Sequence, residues 1–355
     1  MTWVIDGNAR GLVEPGASAF ERGACEELTS EARAVLARCS DLLEARRHAG
    51  LVRTCHGDLH LRNICLIAGA PTLFDAVEFN EEISCIDVLY DLSFLLMDLW
   101  RRDLRSHANR VFNEYLARNT DIGGLALLPL FLSCRAAVRA KTSLSSAAVQ
   151  TDEREGQGLK AAWRDYLALA RAFLSPPSSR LVAVGGFSGA GKSTLARRLA
   201  PGVGAPPGAL ILRSDVIRKT LAGVSPLTRL GPDGYAPAVT RQVYQTIADR
   251  ASRALDAGHA VIVDAVYASA RDRDEIAAVA GDCGAPFTGL WIDAAHDVLA
   301  RRLRDRVADV SDATQQVLGQ QLQSDVGRLE WHRLDGSLDA ESLEQRAERV
   351  LLGEH

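Results

Sequence analysis

The chain has 355 residues, of which 47% are apolar and 24% are charged, and its formal net charge is −4 at pH 7. This length exceeds that of a usual single domain, so we expect two domains, each with enough apolar side chains for a core. The acidic balance, with a pI near 6.1, argues against a nucleic-acid partner or an anionic membrane surface, because both attract basic patches.

The cysteines and the apolar stretches indicate a cytoplasmic protein with no membrane contact. The seven cysteines are scattered and odd in number, which is typical of reduced thiols. The start, Met1–Asp6, has neither the basic nor the apolar region of a secretory signal. The apolar stretches Leu89–Trp100 and Leu125–Cys134 are shorter than the about 20 residues of a membrane-spanning helix. The oligomeric state is not indicated.

The first half of the chain has a mainly helical pattern. Apolar residues between Val35 and Leu43 recur at helical spacing, with Thr29 or Ser30 as the expected N-cap. A short strand–turn–strand is predicted around 64–67 and 72–74, and helices are predicted over roughly 87–102, 106–118, 130–149 and 157–174.

Several polar residues in this half form a recognisable motif. The run Cys55-His-Gly-Asp-Leu-His-Leu-Arg-Asn63 places Asp58 five residues before Asn63, and Asp75 follows the predicted strand pair. This set is similar to aminoglycoside phosphotransferases and related kinase-like enzymes. The resemblance implies that Asp58 is a catalytic base and that Asn63 and Asp75 bind Mg²⁺. It also implies the fold of the C-terminal lobe of kinase-like phosphotransferases, with Asp87 and Asp91 in a chiefly structural role.

One part of that resemblance is missing. Kinase-like enzymes carry a β-rich nucleotide lobe and a phosphate-binding lysine before this motif. Here only 57 residues precede Asp58, their pattern is helical, and no lysine occurs before Lys141. Two explanations follow: the chain is an N-terminally shortened version of such an enzyme, which we prefer, or its first half has become a scaffold or an acceptor-binding platform. A zinc site at Cys55, His56 and His60 is a third alternative, although it lacks a second ligand pair.

A linker divides the two predicted domains. The segment Ser175-Pro-Pro-Ser-Ser179 has the composition of a loop, so we expect domains at 1–175 and 176–355. Beyond it, predicted strands alternate with helices, which favours an α/β fold with a parallel sheet and flanking helices. The strands are predicted near 181–185, 209–213, 260–264 and 287–292.

The first of these strands leads into a phosphate-binding loop, Gly186-x-x-x-x-Gly191-Lys192-Ser193. Backbone amides at the start of the following helix would cradle a polyphosphate. Lys192 would reach the β- and γ-phosphates, and the Ser193 hydroxyl would bind Mg²⁺. The alternative is a glycine-rich turn without a ligand. The pattern predicts ATP and Mg²⁺ as cofactors, with a nucleotide-binding set of Gly186, Ser188, Gly189, Ala190, Gly191, Lys192, Ser193 and Thr194.

Two carboxylates follow the next predicted strands. Asp215 would accept the proton of an attacking hydroxyl, with Arg218 holding an anionic or polyhydroxylated acceptor. Alternatively, Asp215 is a helix N-cap. Asp264 has the form of a Walker B carboxylate, which orients Mg²⁺ or its water, or else it ends a strand in an ordinary turn.

A basic helix follows the last predicted strand. It places Arg302 and Arg306 four residues apart on one face. On a lid over the γ-phosphate these arginines would neutralise charge during transfer. The alternative is a solvated basic face.

Together these motifs look like the P-loop kinases grouped with gluconate kinase, chloramphenicol phosphotransferase and the zeta toxins, over about residues 180–330. The resemblance implies that Asp215 activates the acceptor hydroxyl and that Arg302 and Arg306 are lid arginines. The expected function is an ATP-dependent kinase of a small hydroxylated molecule, with its chemistry at the C-terminal loop. The alternative is an ATP-binding regulatory or toxin-like protein with little turnover, whose N-terminal half is a non-catalytic remnant.

Overall fold

A computed structural model describes residues 1–13, 17–305, 311–312, 315–323 and 325–354. The chain forms two compact units. The first comprises Met1–Val111 and Gly124–Pro177, and the second comprises Phe112–Gly123 and Ser178–His355.

The chain before the linker is mainly helical. Its antiparallel strand pairs, β1 with β4 and β2 with β3, are short. In chain order the elements are α1 Thr2–Gly11, α2 Ala19–Arg38, α3 Ser40–His48, β1 Val52–Thr54, β2 Ile64–Ile67, β3 Ala70–Leu73, α4 Glu81–Ser84, β4 Cys85–Asp87, α5 Val88–Arg101, α6 Arg105–Asn119, α7 Leu128–Val149 and α8 Glu153–Leu174.

Helix α2 begins earlier than its apolar pattern predicted. The Ser18 hydroxyl accepts a hydrogen bond from the Glu21 amide, and the Glu21 carboxylate accepts one from the Ser18 amide. This reciprocal pair satisfies two amides at the helix start. The predicted N-cap at Thr29 or Ser30 is therefore wrong, because both residues lie inside the helix.

The core of the first unit lies between α5, α7 and α8. Phe94, Phe131 and Trp163 are almost fully buried there. The stretch Ile122–Val149 is long and apolar enough to cross a membrane by length and composition, but 72% of its apolar window is buried inside the chain. That burial is typical of a core helix.

After the linker, strands and helices alternate. In chain order the elements are β5 Leu181–Gly185, α9 Lys192–Leu199, β6 Leu210–Arg213, α10 Ser214–Leu221, α11 Pro237–Asp256, β7 Val261–Asp264, α12 Ala270–Asp282, β8 Phe287–Asp293, α13 His296–Arg304, α14 Gln315–Leu322, β9 His332–Asp335 and α15 Ala340–Leu352.

The second unit is an α/β fold with a parallel sheet and flanking helices, as predicted. Its strands lie in the order β6-β7-β5-β8-β9, and every pair is parallel. The sequence did not predict β9, in which only Leu334 is buried. An edge strand with one buried side chain carries little apolar signal.

The strand order places the first strand of the sheet, β5, in its centre. The next strand in sequence, β6, lies towards one edge, and β8 lies on the other side of β5. Ligands in open α/β sheets bind at the carboxyl ends of strands, where the strand order reverses. The loop that follows β5 therefore leaves the sheet at the expected ligand-binding point.

We expect buried His259, just before β7, to make the stability of the second unit depend on pH. Its Nε2 donates to the Gly208 carbonyl oxygen over 3.0 Å, and burial lowers its pKa from the usual 6.5 to about 4. The unfolded chain therefore takes up this proton first as the pH falls. The stabilisation is complete above about pH 6.5 and is lost between there and pH 4, by about 2 kcal/mol from pH 7 to pH 5.

The measurement is the free energy of unfolding by urea at pH 7 and pH 5, for wild type and His259→Gln. The glutamine keeps a donor but does not titrate, so its pH dependence should be shallower by that amount. Exposed His48→Gln is the matched control. Identical pH dependence in wild type and His259→Gln would contradict the prediction.

Candidate active site

The loop between β5 and α9 needs glycine at three positions, one of which is Gly191 with φ +102°. Gly186 has φ +135° and Gly189 has φ +87°, both in the region that favours glycine. A Cβ on Gly186 would lie 2.6 Å from the carbonyl oxygen of Ile292, and one on Gly189 would lie 2.8 Å from that of Leu299. Both distances are too short, so the backbone itself forms the wall of the loop.

Two oxygens that suit a divalent cation meet beside this loop. The Ser193 hydroxyl, in the first turn of α9, donates to Oδ2 of Asp264 at the end of β7, with the oxygens 2.5 Å apart. Asp264 is buried. A hydroxyl and a carboxylate are the hard oxygen ligands that Mg²⁺ takes in nucleotide sites. This donor set fits Mg²⁺.

An arginine that the sequence analysis missed contacts both oxygens. Arg213 Nε lies 3.3 Å from Asp264 Oδ2, and its Nη2 donates to Ser193 Oγ over 3.1 Å. Arg213 and Asp264 are also register partners in the β6–β7 pair. The only sequence signal was a cation that ends an apolar strand two residues before Asp215.

Most of the predicted phosphate-binding residues and both predicted acceptor residues line one cavity of about 410 Å³, whereas Gly186 and Ala190 do not. Such a volume is within the range of small-molecule sites. Lys192 lines it and donates from Nζ to the Phe187 carbonyl oxygen over 3.1 Å. The predicted residues on its wall are Ser188, Gly189, Gly191, Lys192, Ser193, Thr194, Asp215, Arg218 and Asp264.

The cavity also has walls that the sequence did not predict. Tyr235, Tyr244 and Asp272 contribute polar groups from three separate segments. Gln321 on α14 accepts the Ser188 amide hydrogen through Oε1 over 2.9 Å. None of these residues belongs to a contiguous motif, so local sequence patterns could not reveal them.

Asp215 lies in the first turn of α10, whose N-cap is Arg213. The alternative that Asp215 is the N-cap is therefore wrong. Burial, followed by the negative charge of Asp264, raises the pKa of Asp215 above its usual range. A higher pKa makes a carboxylate a stronger proton acceptor near neutral pH.

Arg218, one turn after Asp215, is held firmly by its surroundings. Its Nη1 donates to the Gly234 carbonyl oxygen over 2.8 Å and to Thr240 Oγ1 over 3.2 Å. The guanidinium also lies over the Tyr235 ring, 4.8 Å from its centroid. The side chain is 6% exposed, so its charge has a fixed place on the cavity wall.

A second cavity of about 310 Å³ adjoins the same loop. Its wall combines Ala190 of the loop and Arg302 of α13 with Leu338, which lies between β9 and α15. Arg302 Nη1 lies 3.4 Å from the Ala190 carbonyl oxygen. The structure thus brings Arg302 to the loop, whereas Arg306 lies outside the described residues. The sequence analysis missed Leu338, which belongs to no motif.

In the first unit, the predicted Asp58 and Asn63 contact each other. Asn63 Nδ2 donates to both the backbone oxygen and Oδ2 of Asp58, over 3.0 and 3.2 Å. A hydrogen bond from His60, whose Nε2 is 3.4 Å away, lowers the pKa of Asp58 below its usual range. Asp75 is exposed, with φ +61°.

The segment that carries Asp58 is anchored by buried charges. The Asp91 carboxylate accepts hydrogen bonds from the amides of His56 and Gly57, over 3.1 and 2.9 Å. Arg135 Nη1 donates to the Gly57 carbonyl oxygen over 3.2 Å. These contacts give Asp91 the structural role expected for it.

The zinc alternative is contradicted. Among the described residues, no group of three or more His, Cys, Asp or Glu side chains has the arrangement of a metal site. His56 Nε2 instead lies 2.9 Å from the Phe74 carbonyl oxygen. Cys55 Sγ points to the Ile86 carbonyl oxygen, 3.5 Å away.

The sheet order, the glycine-dependent loop and the Ser193–Asp264 pair have the arrangement of a P-loop α/β domain. In agreement, residues 181–325 match the profile of a family described as an AAA domain.

Similar proteins occur in Mycobacterium tuberculosis and Mycobacterium bovis. Both relatives are uncharacterized, and each is 31% identical over 285 residues, which are 78% of this chain and 54% of the relative. The chain thus spans about half the length of the curated relatives it matches.

Two solved structures are also similar. A sugar kinase from Janibacter is 22% identical, covers 49% of this chain and 94% of its own, and has a TM-score of 0.36. A gluconokinase from Sinorhizobium meliloti is 21% identical, covers 50% of this chain and 98% of its own, and has a TM-score of 0.33.

We expect Gly189→Ala to lower nucleotide affinity at least about tenfold, since an L-residue is strained at φ +87° by roughly 1–3 kcal/mol. The added Cβ would also press on the Leu299 carbonyl oxygen and move the loop. Titration calorimetry with a nonhydrolysable ATP analogue measures the loss. Gly202→Ala is the matched control, because a Cβ there meets nothing within 4 Å. Equal affinities for both variants would refute a rigid loop.

Proposed function

We propose that the protein is an ATP-dependent phosphotransferase that transfers the γ-phosphate to a hydroxyl of a small molecule at the C-terminal site. The observation that carries this proposal is the single cavity shared by Lys192, the Ser193–Asp264 pair and Asp215. Asp215, whose pKa is raised, lies on the wall of this cavity as a general base for an acceptor hydroxyl would.

Each group has a role in this reaction. The amides of the loop and Lys192 bind the phosphates, and Ser193 with Asp264 would hold Mg²⁺, which neutralises phosphate charge when bound. An Asp215 oxygen takes the proton of the acceptor hydroxyl as the hydroxyl oxygen attacks the γ-phosphorus. The bond between the γ-phosphorus and the β–γ bridging oxygen breaks, and ADP leaves. Arg218 orients the acceptor through its fixed guanidinium.

The second cavity is proposed for the nucleobase. Leu338, Leu343 and Ala190 give it apolar surface, and the planar guanidinium of Arg302 lies at its wall. A guanidinium stacks well on an aromatic ring. Arg302 can also add positive charge near the phosphates, a role that we extend to Arg306.

We propose that the first unit is a non-catalytic remnant of a kinase-like domain. The Asp58 carboxylate is engaged by His60 and Asn63, and its lowered pKa makes it a weak base. Asn63 uses its amide nitrogen in that contact. We therefore propose that the acceptor binds in the second unit. We also propose that the protein is cytoplasmic and has neither nucleic-acid nor membrane partners.

Two substitutions test the reaction. Lys192→Ala removes the ammonium that holds the phosphates, so both ATP affinity and phosphate transfer should fall at least about a hundredfold. Asp215→Asn keeps the size of the side chain but removes the base, so transfer should fall by about 10²–10⁴ while ATP affinity changes little. The measurement is transfer from labelled ATP to a panel of sugars, aminoglycosides and nucleotide sugars.

Asp282→Asn, at the exposed end of α12, is the matched control and should leave transfer unchanged. Tight ATP binding by the wild type, with neither hydrolysis nor transfer to any acceptor, would instead favour the regulatory or toxin-like alternative. Unchanged ATP affinity in Lys192→Ala would refute the proposed nucleotide site itself.

We further expect Asp58→Ala to leave phosphate transfer within about twofold of wild type, because the proposed chemistry lies in the second unit. Asn63 and His60 each lose a hydrogen-bond acceptor, so a loss of stability of about 1–3 kcal/mol should accompany the substitution. Steady-state kinetics and circular dichroism measure both effects. A large fall in turnover with an intact fold would show that the first unit takes part in catalysis.

A further inference from the structure

Arg213 is tied to the centre of the site by the sheet itself. It is the last residue of β6, and its backbone register places it directly beside Asp264 at the end of β7. Its side chain is only 14% exposed. The backbone of a residue held in this way stays beside the site, unlike that of an arginine on a mobile lid, and only the side chain can turn away.

The guanidinium contacts the two oxygens that suit Mg²⁺. Its Nε lies 3.3 Å from Asp264 Oδ2, and Nη2 lies 3.1 Å from Ser193 Oγ. Ser193 directs its hydroxyl hydrogen to Asp264, so the lone pairs of Ser193 Oγ are what remain for a cation. Arg213 already donates to one of them.

A guanidinium and a divalent cation repel each other strongly in this setting. Asp264 is 4% exposed, so little water screens charges beside it, and like charges a few ångströms apart interact far more strongly there than in bulk water. Mg²⁺ also gives up its hydration water reluctantly. Free Mg²⁺ would have to displace Arg213 with no new negative charge in return.

A nucleoside triphosphate makes the binding of the metal ion more favourable. Its polyphosphate brings several negative charges to the loop, and these can bind the metal and the displaced guanidinium at the same time. Arg213 has only to turn about its side-chain bonds, because its backbone stays in the sheet.

We propose that Arg213 is a positioning residue that excludes free Mg²⁺ from Ser193 and Asp264 until a nucleoside triphosphate brings the metal. The inference rests on the proposed function, since it takes this site to be the nucleotide site. It goes further in assigning the protein a built-in cation that couples metal binding to nucleotide binding.

Mn²⁺, a paramagnetic substitute for Mg²⁺, provides the test by electron paramagnetic resonance without any turnover. The wild type should bind Mn²⁺ at least tenfold more tightly with a nonhydrolysable ATP analogue than alone. Arg213→Met keeps the length of the side chain but removes its charge, and should bind Mn²⁺ at least tenfold more tightly than wild type without nucleotide. Arg213→Lys keeps the charge and should resemble wild type.

Two controls locate the effect. Arg198→Met removes an equal charge from the same helix as Ser193, but Arg198 pairs with Glu344 at the surface, so Mn²⁺ affinity should stay within about threefold. The double variant Arg213→Met with Asp264→Asn should lose the added affinity. Circular dichroism of each variant reports whether the fold is retained.

Arg213→Met that folds and binds Mn²⁺ no more tightly than wild type would overturn the inference. If that variant fails to fold, the wild type alone decides, because tight Mn²⁺ binding without nucleotide would overturn the inference equally. Either of these two results would overturn only the role of Arg213. The proposed function would still stand if Lys192→Ala abolishes ATP binding. Failure of the proposed function is recognised separately, as nucleotide affinity that does not depend on Lys192.

Discussion

The parallel register of β5, β6 and β7 is the constraint on which the candidate site depends. Parallel strands end at the same edge of a sheet, so the loop after β5, Arg213 and Asp264 meet although they are far apart in sequence. The Ser193–Asp264 hydrogen bond then joins the start of α9 to the end of β7. A shift of one residue in the β6–β7 register would turn Arg213 away from this group.

Opposite charges explain why the carboxylate of Asp264 can be buried beside the phosphate-binding loop. Asp264 is surrounded by protein and is balanced by Arg213, and the positive charges of Lys192 and Arg213 also act to lower the pKa of Asp215. Burying a carboxylate without such partners would be strongly unfavourable. At Asp215 the effect of burial outweighs these positive charges, so its pKa is raised. The carboxylate that we propose as the proton acceptor is therefore only partly compensated.

The two units place their candidate catalytic carboxylates in different surroundings. In the first, Asp58 accepts hydrogen bonds from His60 and Asn63, and its pKa is lowered. In the second, the carboxylate of Asp215 lines a cavity and its pKa is raised. A carboxylate that accepts hydrogen bonds from its own neighbours has little tendency to take a proton from a substrate, whereas a carboxylate whose pKa is raised by burial has a greater one. The motif alone does not distinguish these two states.

The sequence by itself determined the parts of the protein that are contiguous. The loop from Gly186 to Thr194 could be predicted because the glycine, lysine and serine residues that it needs lie in one short segment. Four strands could be predicted because buried strands are continuously apolar. The N-cap prediction at Thr29 was wrong because it relied on the apolar spacing after Thr29 and did not consider the reciprocal hydrogen bonds between Ser18 and Glu21. Tertiary structure alone decided the contacts of Arg213, Gln321 and Leu338, since these residues come from separate segments. Their contacts depend on strand order and on the packing of distant segments, which short sequence patterns do not specify.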